Sequence, residues 1–117
     1  MEAKGKKVNE LGSRILRGDI LKTLYYQDAF GPRTRVGSLM LWGALREAGH
    51  HEGGEPLSRE TLERFVDELA GMGHLKKVVP GAVGRLLTDY EVHLTRKGRG
   101  LLEGALPGEP SVLIGEV

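Results

Sequence analysis

The chain has 117 residues, 39% of them hydrophobic, with a formal net charge of +1 and no cysteine. That length suits one domain with tails, because a core typically takes about 100–150 residues, and it can bury roughly two-thirds of its unfolded surface without a disulfide or a metal. Thiolate zinc sites, disulfide frameworks and cysteine nucleophiles are excluded together. The opening MEAKGKKVNELGS has no apolar h-region, and no apolar run nears the roughly 18 residues of a membrane span. A soluble, cytoplasmic protein is expected.

The near-neutral total hides a block pattern. Residues 1–35 hold eight Lys/Arg and four acids, residues 36–75 hold three and seven, residues 76–99 hold six and two, and the remainder holds three acids. Two basic blocks flank an acidic middle. A fold that brings the basic blocks together attracts a polyanion despite the small net charge; otherwise the asymmetry is solvated surface.

Residues 1–12 read as a basic, flexible arm. From Ser13, SRILRGDILKTLYYQ places Leu16, Ile20 and Leu24 at i, i+4, i+8, with Leu21 and Tyr25 widening the stripe, which predicts a helix packed on one face. Gly31 and Pro32 end it. GSLMLWGALREAG predicts a second helix, with Ser38 as N-cap, Leu41, Leu45 and Ala48 on one face and Gly49 just past its end. Trp42 is either a core plug or a half-exposed anchor. HHEGGEP then reads as a flexible loop.

Residues 56–78, PLSRETLERFVDELAGMGHLKKV, predict a third helix running into a strand. Ser58 is the N-cap, Leu57 and Leu62 occupy the two positions of a hydrophobic staple, and Leu62, Phe65, Val66 and Leu69 form the buried stripe, extended by Met72. Gly73 ends the helix and Leu75 folds back on its last turn. KKVV and YEVHLT predict two strands around the turn PGAVG; in the second, Tyr90, Val92 and Leu94 alternate with Glu91 and His93. Thr95 caps a short last helix, RKGRGLLEG. Residues 105–117 form a Gly/Pro-broken tail.

Three helices, a β-hairpin and a final helix make an α+β, mostly helical layout. SRETLERFVDELAGMGHLKKV resembles the third helix and first wing strand of the winged helix-turn-helix superfamily, and VHLTRKGRGLL resembles its post-wing signature. The resemblance spans residues 13–104. More narrowly, LREAGH, LSRETLERFVDELAGMGHL, VHLTRKGRGLLEG and PGEP resemble small winged-helix proteins of Mu-like prophages often labelled ArsR-like regulators. The resemblance implies that the third helix enters the major groove of DNA while the hairpin wing meets the backbone or minor groove.

On that expectation, Arg59 reads guanine or holds a phosphate, Glu63 accepts from a cytosine amino group, Arg64 tunes base preference, and Ser58 and Thr61 hydrogen-bond phosphates. Yet the helix also carries Glu60, Asp67 and Glu68, so it needs help to approach a polyanion. Arg85 near the wing tip, Lys76 and Lys77 on the first wing strand, Arg33 and Arg35 before the second helix, and the arm lysines Lys4, Lys6 and Lys7 are the candidates for that help. Arg96, Lys97 and Arg99 open the last helix and are expected to lie away from the nucleic acid.

The histidines His50, His51, His74 and His93 do not take metal-ligand spacing, and no metal or cofactor is expected. GAVGR is too short for a phosphate loop, Ser58 is explained by capping, and Asp89 with Glu91 has no evident pocket, so no enzyme is expected. The first reading is a double-stranded-DNA-binding transcriptional regulator, paired as a homodimer through Leu11, Tyr25, Tyr26, Phe30 and the tail SVLIG. The second is a winged-helix protein-interaction module whose acidic third-helix face docks a basic partner.

Overall fold

The structure is a computed structural model that describes residues 10–28, 36–52, 54–78, 90–105, 107–108, 110 and 112–113. Helix α1 is Glu10–Asp28, strand β1 Val36–Gly37, helix α2 Ser38–Glu47, strands β2 His51–Glu52 and β3 Glu55–Pro56, helix α3 Arg59–Gly71, strands β4 Leu75–Val78 and β5 Glu91–Leu94, and helix α4 Arg96–Leu102. The architecture is α+β and mostly helical.

The predicted stripes form the core. Leu16, Ile20, Leu21 and Leu24 of α1 are buried together with Leu41 and Leu45 of α2, and with Leu62, Phe65, Val66 and Leu69 of α3. Helix α1 begins three residues earlier than the sequence indicated, at Glu10, so residues 10–12 are helical rather than part of an arm. Gly12 alone costs about 1 kcal/mol in a helix, too little to stop one already nucleated by the turns that follow.

Ser58 caps α3 as its sequence predicts, its side-chain oxygen accepting from the Thr61 amide at 3.1 Å. The other end closes with Gly73 at a φ of +87°, a left-handed conformation open to glycine without a Cβ penalty. That turn lets the Gly73 and His74 amides bond back to the carbonyls of Ala70 and Leu69, satisfying groups the helix leaves open, and it directs the buried Leu75 into the sheet.

Ser38 is not a cap. The N-cap of α2 is Gly37, with no side-chain cap bond; Ser38 is wholly buried, its amide donates to the Tyr90 carbonyl at 2.7 Å and its hydroxyl accepts from the Tyr90 amide at 3.3 Å. The reason is tertiary: β1 lies against β5, with Val36 opposite Val92, which brings the start of α2 onto the start of that strand. Strands β4 and β5 pair antiparallel with Leu75 opposite Leu94 and Lys77 opposite Val92, giving a three-stranded sheet in the order β1-β5-β4. Ala48, expected on the buried face of α2, is its exposed C-cap.

The segment expected as a flexible loop is instead a short ladder. His51 faces Pro56 and Glu52 faces Glu55, and the Leu57 amide donates to the His50 carbonyl at its base. Gly54, at a φ of +86°, permits the reversal. Beyond α4, Val112 is buried and the Leu113 amide donates to the Arg14 carbonyl at 2.9 Å, so this part of the tail lies along α1. No helix among the described residues is long and apolar enough to cross a membrane.

Candidate nucleic-acid interface

Helix α3 buries one face and turns Arg59, Glu60, Glu63, Arg64 and Asp67 away from the core. Its six charges sum to −2, from four acids and two arginines. The tertiary structure changes that balance. Arg17 of α1 places Nε and Nη2 at 3.2 and 3.1 Å from Glu68 Oε1, and Lys77 of β4 places its ammonium 3.0 Å from Asp67 Oδ1. Arg59 lies 3.6 Å from Glu63 one turn along. With Arg17 and Lys77 counted, the helix and its immediate partners hold four acids and four cations. The acidic helix is locally neutral.

These pairs are solvent-accessible, so each adds at most about 1 kcal/mol to stability; their consequence is for the surface potential. A neutral α3 neither repels a phosphate chain strongly nor attracts one, and Glu60 is the acid that makes none of these pairs.

Comparisons with protein-family models, with curated proteins and with solved structures found no match for this chain.

The start of α3 is built around the sole tryptophan. Trp42 is half-buried, packs against the core from α2, and its indole N–H donates to the Leu57 carbonyl at 2.7 Å. That bond anchors the ring beside the staple residue that leads into α3. Two guanidiniums lie over it: Arg46, with its carbon 4.8 Å from the ring centroid, and Arg59 at 5.7 Å. Beside them, Leu39, Trp42, Gly43, Arg46, Glu47 and Pro56 line a depression of about 610 Å³.

The other predicted contact residues are distributed as follows. Ser58 is half-buried and donates its hydroxyl to Thr61 Oγ1 at 3.0 Å. Thr61 is only 7% exposed, and its hydroxyl accepts that bond from the cap. Arg64 is exposed, with its guanidinium carbon 5.1 Å from the Phe65 ring centroid. Lys76 is exposed on β4, while Lys77 lies 4.5 Å from the Tyr90 ring centroid as well as beside Asp67. Arg35 and Arg85 lie outside the described residues, as do Arg33, Phe30, Asp89, the arm lysines and the turn after β4.

Arg46 and Arg17 are the residues that sequence reading passed over. Arg46 had a signal, since it stands one helical turn from Trp42, where side chains meet. Arg17 had none, being 51 residues from Glu68. Among the described residues no group of three or more His, Cys, Asp or Glu is placed to hold a metal ion. His50 is paired with Asp19 at 2.7 Å and His93 with Glu91 at 2.9 Å, and His74 is buried.

Proposed function

We propose that this chain is a winged-helix DNA-binding protein, acting as a small dimeric transcriptional regulator. In this reading α3 lies in the major groove and the β4–β5 hairpin lies against the backbone. The observation that carries it is the order of parts: a one-sided, capped α3 follows α2, closes in a left-handed glycine turn, and passes directly into an antiparallel hairpin that returns to α4. This is the layout in which the superfamily presents its recognition helix.

The neutral balance around α3 supports a division of labour. Attraction comes from cations off the helix, with Lys76 on β4 and, from the sequence, Arg35, Arg85 and the arm lysines. Exposed Arg64 and neighbouring Glu63 supply base preference, by donating to guanine and accepting from cytosine respectively. The acidic-face reading, a module that docks a basic protein, has less support, because Glu63, Asp67 and Glu68 already face cations of this chain.

The test is binding of the purified chain to random-sequence duplex DNA, titrated from low to physiological salt. Affinity that falls linearly as the logarithm of salt rises is expected for phosphate neutralisation. Failure to bind at the lowest salt overturns the reading. Once a preferred site is selected, Arg64→Ala is expected to narrow the gap between preferred and random DNA.

A further inference from the structure

Arg46 and Arg59 come from different helices and meet over one ring. Their guanidinium carbons lie 4.8 and 5.7 Å from the Trp42 centroid, so they are no more than about 10.5 Å apart. The ring is held by its own hydrogen bond to the Leu57 carbonyl, and it joins α2 to the first turn of α3. A guanidinium held over an aromatic face by cation–π attraction still offers N–H groups that match the oxygens of a phosphate. That attraction also restricts a long side chain before any ligand arrives, so less freedom is lost when it binds.

Resting on the DNA-binding reading, we infer that Trp42, Arg46 and Arg59 form a backbone clamp for duplex DNA at the α2–α3 junction. Arg46 and Arg59 hold phosphates of one strand, and Trp42 is the platform that spaces them. Each strand carries a charge every 3.4 Å or so along the axis, so two cations within about 10.5 Å of each other reach phosphates a few steps apart. Gly43 adds to the fit: a Cβ built on it has open space around it, leaving room for close approach beside Arg46. Glu47 lines the same depression and Glu63 sits beside Arg59, and both subtract from the attraction. The grip therefore depends on the charge and hydrogen bonds of the two guanidiniums, not on the net charge of the surface around them. In this arrangement Arg59 positions the helix on the backbone and carries no sequence information.

The sole tryptophan makes the site observable. Random-sequence duplex DNA would be titrated into the full chain while anisotropy of the labelled DNA and emission of Trp42 are both followed. Arg46→Ala and Arg59→Ala would be compared with the unsubstituted chain after their thermal midpoints are measured. Each is expected to weaken binding to all sequences by about five- to tenfold at low salt and to reduce the salt slope by about one, and the emission of the unsubstituted chain should change as DNA binds. If Arg46→Ala unfolds the chain, Arg46→Gln carries the same comparison.

Binding by the unsubstituted chain that Arg46→Ala and Arg46→Gln leave unaltered, with Trp42 emission unmoved, overturns the clamp while the DNA-binding reading stands. No binding by the unsubstituted chain overturns both.

Discussion

The hydroxyl of Thr95 donates to the carbonyl of Gly73 at 2.6 Å while accepting from the Gly98 amide at 3.0 Å. One side chain thus closes the turn after α3 and caps α4. Around it the Thr95 amide donates to the His74 carbonyl, and the Lys97 ammonium donates to the Met72 carbonyl at 2.7 Å, a cation at the negative end of α3. The run LTRKG is therefore a joint between two helices. Replacing Thr95 by Val removes both side-chain bonds and is expected to cost about 1–2 kcal/mol, measured by urea unfolding. Thr95→Ser, which keeps the hydroxyl, should lose much less; a Thr95→Val chain as stable as the unsubstituted one would dismiss the cap.

Gly98 sits in that joint with no room for a side chain. A Cβ placed there would overlap the His74 carbonyl oxygen and lie 2.8 Å from Leu94 Cδ1. The obstacle is largely backbone held by the Thr95 amide, so it cannot turn aside as a flexible side chain would. Gly98→Ala is expected to destabilise by about 2–3 kcal/mol, in the range of overpacking, although alanine favours a helix more than glycine does. A neutral or stabilising result in chemical unfolding would contradict the packing described.

Ser38 joins the start of α2 to the start of β5 through two bonds with the Tyr90 main chain. Ser38→Ala keeps the amide bond and removes the hydroxyl acceptor at a buried position. The expected loss is about 1 kcal/mol, with faster hydrogen exchange at the Tyr90 amide than in the unsubstituted chain. Exchange that stays unchanged would rule out this acceptor as a protecting group.

The Tyr25 phenol donates to Glu103 Oε2 at 3.0 Å. That bond first, then desolvation and the carboxylate's charge, raise its pKa above the ordinary 10.0, with Arg99 opposing. A group whose folded pKa is raised stabilises the fold below its unfolded pKa and loses that contribution as pH climbs through the folded value. The contribution is therefore present at neutral pH and disappears in alkali above about 10. Glu103→Gln should lower the alkaline midpoint of one tyrosine, followed by phenolate absorbance; tyrosines that titrate alike in both proteins would dismiss the bond.

Neutralisation of α3 by Lys77 and Arg17 has a thermodynamic signature of its own. A double-mutant cycle on Lys77 and Asp67 should give a coupling no larger than about 1 kcal/mol that shrinks as salt is added. A larger, salt-insensitive coupling would mean that the pair is more buried than its geometry indicates.

Periodicity and punctuation are local signals, and what they encode was legible. Leu16, Ile20 and Leu24, the Ser58 cap, Gly73, and the alternation of Tyr90, Val92 and Leu94 each state their element within a few residues, and those elements form, with α1 starting three residues early and β5 confined to Glu91–Leu94. The two-residue strands β1 and β2–β3 were not legible, because two residues carry no period and their pairing is decided by what lies opposite. The same holds for Ser38 and Thr61: their types suit a cap or a surface, and only the packing around them buries them.

The charge of α3 divides most sharply. By itself the sequence determined that a capped, one-sided helix carries four acids and two bases, since composition and face follow from order along the chain. Only the tertiary structure decided that Arg17 and Lys77 meet two of those acids, and that Arg46 and Arg59 share Trp42. The reason is physical: electrostatic attraction falls with distance through space, not along the chain, and a fold sets the one independently of the other.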